Sequence, residues 1–376
     1  MKIAVFGHKR IPSREGGVEI VAEELSTRMV KLGHEVTCYN RGGHHVSGTQ
    51  FDAKAPKVYK GIRLKKVLTI DKKGLAAVTS SFCAAFRCAF SRAKVVHIHA
   101  EGPAFLCWLP KLFGKRVVVT VHGLDWQREK WKSGFASKYI RAGERAAVRH
   151  AHEIIVLSRN VQQYFLDTYG REVRFIPNGV TRPVAAPPEE ITKMGLSPNG
   201  YLLFLGRLVP EKGIHYLIEA FRQVQTEKKL VIAGGASDTD DYVTRLKEAA
   251  AEDSRILFTG FVQGRLLEEL YSNAYIYVLP SDVEGMPLSL LEAMSYGNCC
   301  VVSDIAECAE VVEAQGITFP KGDVNALQKT LQRLCDDPAE VKTYQERAAD
   351  FICGKYDWDH VTEKTLELYH ENTDDQ

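Results

Sequence analysis

Apolar and polar positions along this chain come in two kinds of block, short β-rich runs and longer stretches spaced for helices. Residues 2–7, Lys2-Ile3-Ala4-Val5-Phe6-Gly7, read as a first, buried strand. Gly16-Gly17 open a stretch in which Ile20, Val21, Leu25, Met29 and Leu32 fall near a 3.6-residue period, and Gly33 ends that helix. Residues 35–39, 95–99, 116–122 and 153–158 are further strand-like runs, with helical stretches between them. The rhythm breaks at Ile176-Pro177-Asn178-Gly179-Val180, followed by Pro183, Pro187 and Pro188, a linker composition. It then resumes, with strands at 201–206, 230–234, 256–259, 276–280 and 300–303. Helices are predicted near 213–225, 240–252, 264–273, 287–296, 323–335 and 358–370. Two βα-alternating halves predict the α/β class, as two doubly wound, Rossmann-like parallel sheets in domains of residues 1–180 and 181–354. Ligands bind such sheets beyond the carboxyl ends of the strands, so two of them facing a cleft would carry their chemistry in loops that follow strands.

The bulk properties narrow this further. A chain of 376 residues is too long for one typical domain and fits two. No apolar run reaches the roughly 20 residues of a membrane span, and the apolar start is too short for a signal peptide. The nine cysteines include no C-x-x-C pair, and Cys83, Cys88, Cys107, Cys299 and Cys300 lie in apolar stretches. That usage predicts reduced core thiols in a cytoplasmic protein. The net charge of +2 hides a split: residues 1–180 hold 31 Lys+Arg against 14 Asp+Glu, and the rest hold 18 against 33. Either the first half meets an anionic surface, or the two domains attract one another. Nothing has zinc-finger spacing or an RRM-type aromatic signature, so nucleic acid is not an expected partner.

Three loops could carry chemistry. In the first, from Gly7-His8-Lys9-Arg10 to Gly16-Gly17-Val18-Glu19, paired glycines let backbone N–H groups approach an anion at a helix start, or simply make a tight turn. The second, Gly206-Arg207-Leu208-Val209-Pro210-Glu211-Lys212-Gly213, sets two cations between a strand and a helix, suited to a diphosphate or to solvent. The third contains Asp282-Val283-Glu284-Gly285-Met286-Pro287-Leu288-Ser289 and then Glu292. Pro287 suits the first turn of a helix whose free N–H groups would bind a negative group. Glu292 stands among Leu290, Leu291, Ala293 and Met294, where a carboxylate needs a partner: two ribose hydroxyls, or a neighbouring Arg.

In this order the loops resemble those of the retaining family-4 glycosyltransferases of GT-B architecture, over nearly the whole chain. Glu284 and Glu292 match the family's E-x(7)-E, residues 206–213 its G-R-x(4)-K-G loop, and residues 16–19 its GG-x-E. The resemblance implies an acceptor-binding first domain, a nucleotide-sugar-binding second domain, and a terminal helix (355–376, with Trp358-Asp359) that packs back on the first. It implies that Arg207 and Lys212 hold the donor diphosphate, helped by the backbone at Gly16 and Gly17 and by the helix start at Met286, Pro287, Leu288 and Ser289. Glu292 would bind the nucleotide ribose, the backbone around Phe261-Val262 the base, and Glu284 the transferring sugar. His122, in a segment similar to the family's V-H-G, would lie beside that sugar as a second catalytic group. His99, at a strand end and followed by Glu101, would face the acceptor. Asn298-Cys299-Cys300 stands where the family often has Gly-Lys-Pro, a difference expected to affect packing. Asp238 and Asp240 form a D-x-D, a metal mark in other glycosyltransferases, but they precede a helix and read as an N-cap region. His44-His45 and His97-x-His99 lack a thiolate or carboxylate at ligand spacing. Neither a metal nor another cofactor is therefore expected.

The function implied is retaining, metal-independent transfer of a sugar from a nucleotide-diphosphate sugar to a lipid-linked or glycan acceptor. Ile11-Pro12-Ser13 and Leu124-Asp125-Trp126 resemble members placed in cell-surface polysaccharide assembly, some of them rhamnosyltransferases. The basic first half is expected to touch an anionic membrane peripherally, on its inner face. One segment for this combines Arg128, Lys130, Lys132, Lys138, Arg141, Arg145 and Arg149 with Trp126, Trp131, Phe135 and Tyr139. Another runs from Lys54 through Lys73 into an apolar helix over 74–93. A solvated helix face is the alternative there. For the whole chain, the alternatives are a sugar-nucleotide epimerase of the same fold and a non-catalytic GT-B scaffold subunit.

Overall fold

The computed structural model describes residues 1–43, 56–70, 72, 75–127, 134–236 and 239–370, with every side chain except that of Phe135. His44, His45, Lys54, Lys73, Arg128, Lys130, Trp131, Lys132 and Asp238 lie outside the described residues, as does the Phe135 side chain. The chain divides into two compact units, Met1–Gly179 with Trp358–Gln376, and Val180–Asp357.

The first unit has strands β1 (Lys2–Phe6), β2 (Glu35–Asn40), β3 (Val58–Tyr59), β4 (Ile62–Lys66), β5 (Val95–His99), β6 (Arg116–Val121), β7 (Glu153–Val156) and β8 (Arg174–Phe175). Its helices are α1 (Gly17–Lys31), α2 (Leu75–Ala89), α3 (Glu101–Ala104), α4 (Trp108–Leu112), α5 (Gly134–His150) and α6 (Arg159–Tyr169). The sheet order is β3-β4-β2-β1-β5-β6-β7-β8, parallel except for the β3–β4 hairpin. The chain leaves β1 to one side and returns on the other as β5, which makes the β1/β5 gap the switch point. The core is built from strands apolar on both faces: Val96, Ile98, Val117, Val119, Val121 and Val156 are fully buried. The β3–β4 hairpin lies within what the sequence showed only as a run of lysines. Ile62 alone is buried there, while Arg63, Lys65 and Lys66 are exposed at the sheet edge, where charge discourages further pairing.

The second unit has strands β9 (Tyr201–Leu205), β10 (Lys229–Ala233), β11 (Ile256–Gly260), β12 (Ile276–Leu279), β13 (Cys299–Ser303) and β14 (Ile317–Phe319), in the order β11-β10-β9-β12-β13-β14, all parallel. Its helices are α7 (Glu190–Lys193), α8 (Ile214–Phe221), α9 (Asp240–Ala250), α10 (Arg265–Ser272), α11 (Leu288–Ser295), α12 (Ala306–Val312), α13 (Val324–Asp336) and α14 (Pro338–Lys355). Here the switch point lies between β9 and β12. The described cysteines are all free thiols. Cys299 and Cys300 are buried in β13, and Asn298 donates from Nδ2 to the carbonyls of Tyr271 and Ala293 (2.9 Å each), so this segment serves packing.

The last helix, α15 (Trp358–His370), belongs to the first unit. Arg28 Nε donates to Asp359 Oδ1 (2.7 Å), Arg116 Nε donates to the Leu368 carbonyl (2.6 Å), and the Tyr369 hydroxyl lies 2.6 Å from His97 Nδ1. The helix is therefore tied to α1, β6 and β5 by polar contacts that run from an exposed ion pair at Asp359 to a buried hydrogen bond at Tyr369.

Candidate active site

In the second unit, the switch point sets the loop after β9 beside the loop after β12. Gly213 marks the closest approach: it sits at φ +66°, and a Cβ there would stand 2.0 Å from the Pro280 carbonyl oxygen. Asp282 N donates to the Glu211 carbonyl (2.8 Å), which ties the loops together. Lys212 Nζ then lies 2.5 Å from Glu284 Oε1, and Ser281 Oγ donates to the same oxygen (2.6 Å). The Ser303 hydroxyl holds the Ser281 carbonyl (2.5 Å). The Lys212 and Glu284 side chains are only 12% and 8% exposed, so removing either leaves an uncompensated charge in a poorly solvated place. Arg207, at the start of the same loop, is half-buried.

Helix α11 begins just past Glu284. The expectation that Pro287 occupies its first turn needs a correction: Pro287 is the N-cap, at φ −75° and ψ 106°, and the helix starts at Leu288. The extended ψ places Pro287 outside the helix while its carbonyl accepts from Leu290 N (3.1 Å). The N–H groups of Leu288 and Ser289 precede that first bond, which makes this end electropositive. Met286, Pro287 and Leu288 are buried around it and Ser289 is half-buried. Glu292, one turn on, is half-buried, and the Tyr271 hydroxyl reaches both its Oε2 (3.2 Å) and the Ser289 carbonyl (3.3 Å). Tyr296 stacks on Tyr271, and the Tyr277 hydroxyl is hydrogen-bonded to Ser289 Oγ (2.8 Å). These tyrosines were missed in the sequence, where nothing local connects a tyrosine of α10 or β12 to a carboxylate of α11. Val262 is buried in the loop after β11, two strands from β9.

In the first unit, loops after β1, β5 and β6 converge in the same way. Gly7, at φ +106°, passes so close to β5 that a Cβ would meet the His99 carbonyl oxygen at 2.0 Å. Gly17 is the first residue of α1 and Gly16 its N-cap, and Glu19 reaches back to accept from Lys9 N (2.8 Å). His99 Nδ1 lies 2.9 Å from His122 Nε2, and the His97 and His99 rings stack at 4.3 Å. His97 spends its nitrogens on Tyr369 and on Thr120 Oγ1 (2.7 Å). Burial, reinforced by neighbouring imidazoles, pushes His97 down to about 3 and His99 well below the ordinary imidazole value, so both are neutral. His99 and Glu101 are essentially unexposed, and His122 is 9% exposed.

Glu101 follows Ala100, which takes φ +75°, and its Oε2 accepts from Asp125 N (2.8 Å), pinning the loop that contains His122. Burial, then the nearby charges of Asp125 and Glu144, raise the Glu101 carboxyl well above the usual range. Glu144 is itself buried and accepts from the Tyr164 hydroxyl (2.9 Å), the Tyr169 hydroxyl and Trp126 Nε1 (3.2 Å). Glu101 therefore keeps its proton, and its Oε1 is buried without a hydrogen-bond partner among the described residues.

Residues 15–182 match the family described as Glycosyltransferase Family 4, and residues 199–337 match Glycosyl transferases group 1. The chain is a glycosyltransferase with a family-4 domain followed by a group-1 domain. It is 29% identical to alpha-maltose-1-phosphate synthase of Mycobacterium tuberculosis, over 75% of this chain and 80% of that protein. It is 31% identical to O-antigen chain mannosyltransferase B of Escherichia coli, over 48% of each. Among solved structures, Anabaena HepE in complex with UDP-glucose superposes with a TM-score of 0.80 at 18% identity, over 98% of both chains. The two Rossmann-like units of this glycosyltransferase are thus those of the GT-B fold. The first matched stretch holds Glu101 and His122, and the second holds Arg207, Lys212, Glu284 and Glu292.

Two other features of the glycosyltransferase take structural places. Asp240 and Asp241 lie in the first turn of α9, whose N-cap is Thr239. Thr239 and Asp240 of the D-x-D thus lie at the N-cap region of α9, where the Asp240 and Asp241 carboxylates favour the helix end as charges. The Thr239 hydroxyl instead holds the Leu208 carbonyl (2.7 Å), tying α9 to the cationic loop. Among the described residues, no group of three or more His, Cys, Asp and Glu converges as a metal set.

Proposed function

We propose that this glycosyltransferase moves a sugar from a nucleotide-diphosphate donor, with retention of anomeric configuration and without a metal. The observation that carries the reading is the convergence of Lys212, Glu284 and the start of α11 at the β9/β12 switch point. A diphosphate placed there meets Arg207, Lys212 and the N–H groups of Leu288 and Ser289, and Glu292 accepts the ribose hydroxyls. Charge grows on the diphosphate as the glycosidic bond breaks, and fixed cations and dipoles stabilise it without reorganising. The acceptor hydroxyl attacks from the face the diphosphate leaves. The donor binding of HepE, named with UDP-glucose, supports a nucleotide-sugar substrate. Glu284 contacts the transferring sugar and His122 lies beside it. His99 and Glu101 act from beneath, by fixing the His122 ring and its loop rather than by touching the acceptor.

The acceptor we propose is a lipid-linked or glycan intermediate of cell-surface polysaccharide, a reading supported by the likeness to O-antigen chain mannosyltransferase B. The first unit, with its surplus of Lys and Arg, would hold the enzyme to the inner face of a membrane. The test is thermal unfolding with UDP, GDP, ADP and dTDP, with and without magnesium. A ligand at 100 times its Kd stabilises by about 2.7 kcal/mol. One nucleotide is expected to stabilise without magnesium and to lose that effect in Glu292→Ala. No response to any of the four refutes the donor site.

A further inference from the structure

Helix α2 is inside out. It buries small residues (Ala76, Ser80, Ser81, Ala84, Ala85 and Cys88) and turns large ones outward. Phe82 is 55% exposed, Phe86 52% and Phe90, just past the helix end, 60%. Their spacing of four residues puts them in one stripe. An ordinary surface helix does the opposite, with its large apolar side chains facing the core. The stripe continues onto the neighbouring helix: the Phe90 and Phe113 rings lie 4.5 Å apart, and Phe113 follows α4, which bears Trp108 (41% exposed) and Leu112 (74%). Scattered exposed apolar residues are unremarkable, but a contiguous aromatic patch marks an interaction surface.

The charge around the patch selects its occupant. Residues 72–124 contain eight Lys and Arg and one acidic residue, Glu101, which is buried. Arg87, Arg92, Lys94 and Lys111 are exposed on or beside α2 and α4. A second copy docking by a two-fold axis would bring these cations against one another, which opposes a dimer. An anionic bilayer satisfies both features, with aromatic and aliphatic side chains entering the headgroup boundary and cations meeting lipid phosphate. We propose that the α2–α4 face is the membrane-docking surface, with Phe82, Phe86, Phe90, Trp108, Leu112 and Phe113 as the inserted residues and anionic lipid as the partner. The proposal rests on the reading that the enzyme works at a membrane. It moves the contact away from α5, whose exposed Lys138, Arg145 and Arg149 form a purely charged stripe.

The experiment is flotation of the full chain with vesicles of phosphatidylcholine and phosphatidylglycerol. Four proteins are compared: wild type, Phe82→Ser/Phe86→Ser/Phe90→Ser, Lys138→Gln/Arg145→Gln/Arg149→Gln, and Leu112→Glu as a single-site check. Wild type is expected to float, the serine variant and Leu112→Glu to bind at least about tenfold more weakly, and the α5 variant to stay within about threefold of wild type. Unchanged thermal stabilisation by the preferred nucleotide shows that each variant is folded. If wild type floats and the serine variant floats equally, the patch is refuted and the membrane reading stands. If wild type does not float, the membrane reading fails and the patch with it. If wild type is a dimer in solution that the serine variant dissolves, a second copy covers the patch and the proposal is overturned.

Discussion

Two substitutions at the neighbouring buried carboxyls Glu101 and Glu144 differ in a way that a simple count of contacts would miss. Glu144→Ala removes the acceptor of two phenols and one indole N–H. A fully buried donor left unpaired costs roughly 1–3 kcal/mol. Tyr164, Tyr169 and Trp126 are half-buried and can recruit water, so about 0.5–1 kcal/mol each is appropriate here. With a further ~1 kcal/mol for the cavity, the loss is about 3 kcal/mol. For a unit of this size that is a fall in Tm of about 6–12 °C. Glu101→Gln mimics the protonated acid, and its carbonyl accepts from Asp125 N as the carboxyl does. Its cost at neutral pH should stay within about 1 kcal/mol.

The pH dependence gives the sharper reading. The folded Glu101 carboxyl is raised above its ordinary 4.5, so the folded protein holds a proton that the unfolded chain releases. That contribution is fully present below about pH 4.5 and is lost as pH rises from there through the folded value. Wild type should therefore lose stability relative to Glu101→Gln as pH rises from about 4.5 to 8. Thermal unfolding of wild type and both variants across that range measures it. A gap between wild type and Glu101→Gln that does not change with pH would refute the retained proton on Glu101.

Two further predictions concern the second unit. Lys212→Ala leaves Glu284 charged and 8% exposed, and is expected to cost about 2–4 kcal/mol by denaturant unfolding and to abolish stabilisation by nucleotide. Lys212→Ala/Glu284→Ala should recover most of that stability but none of the nucleotide response. Gly213→Ala puts a Cβ 2.0 Å from a carbonyl oxygen at positive φ and should cost more than about 2 kcal/mol, read as a lower urea midpoint.

The alternation of periods was enough to determine two α/β units, because a strand buried on both faces and a helix with one apolar stripe are each written in a few consecutive residues. Strands β1, β2, β5, β6, β7, β9, β10, β11, β12 and β13 stand within a residue or two of their predicted places, and α15 spans the predicted 358–370. Elements whose signal is weak were not legible. Strands β3, β8 and β14 are two or three residues long, and α14 buries only Val341, Ala348 and Ile352 along 18 residues. The candidate loops were visible because glycine, proline and paired charges between a strand and a helix are local features. What those loops do to one another was decided by the tertiary structure. Lys212 meets Glu284 across 72 residues because β12 lies beside β9, and Glu101 meets Glu144 because α5 packs on α3. Glu292 meets the Tyr271 hydroxyl for the same reason. Strand order is set by long-range pairing and burial, and no window of local sequence contains it. The exposed stripe on α2 was equally hidden: the sequence shows an apolar helix, and only packing shows that its small side is the one turned inward.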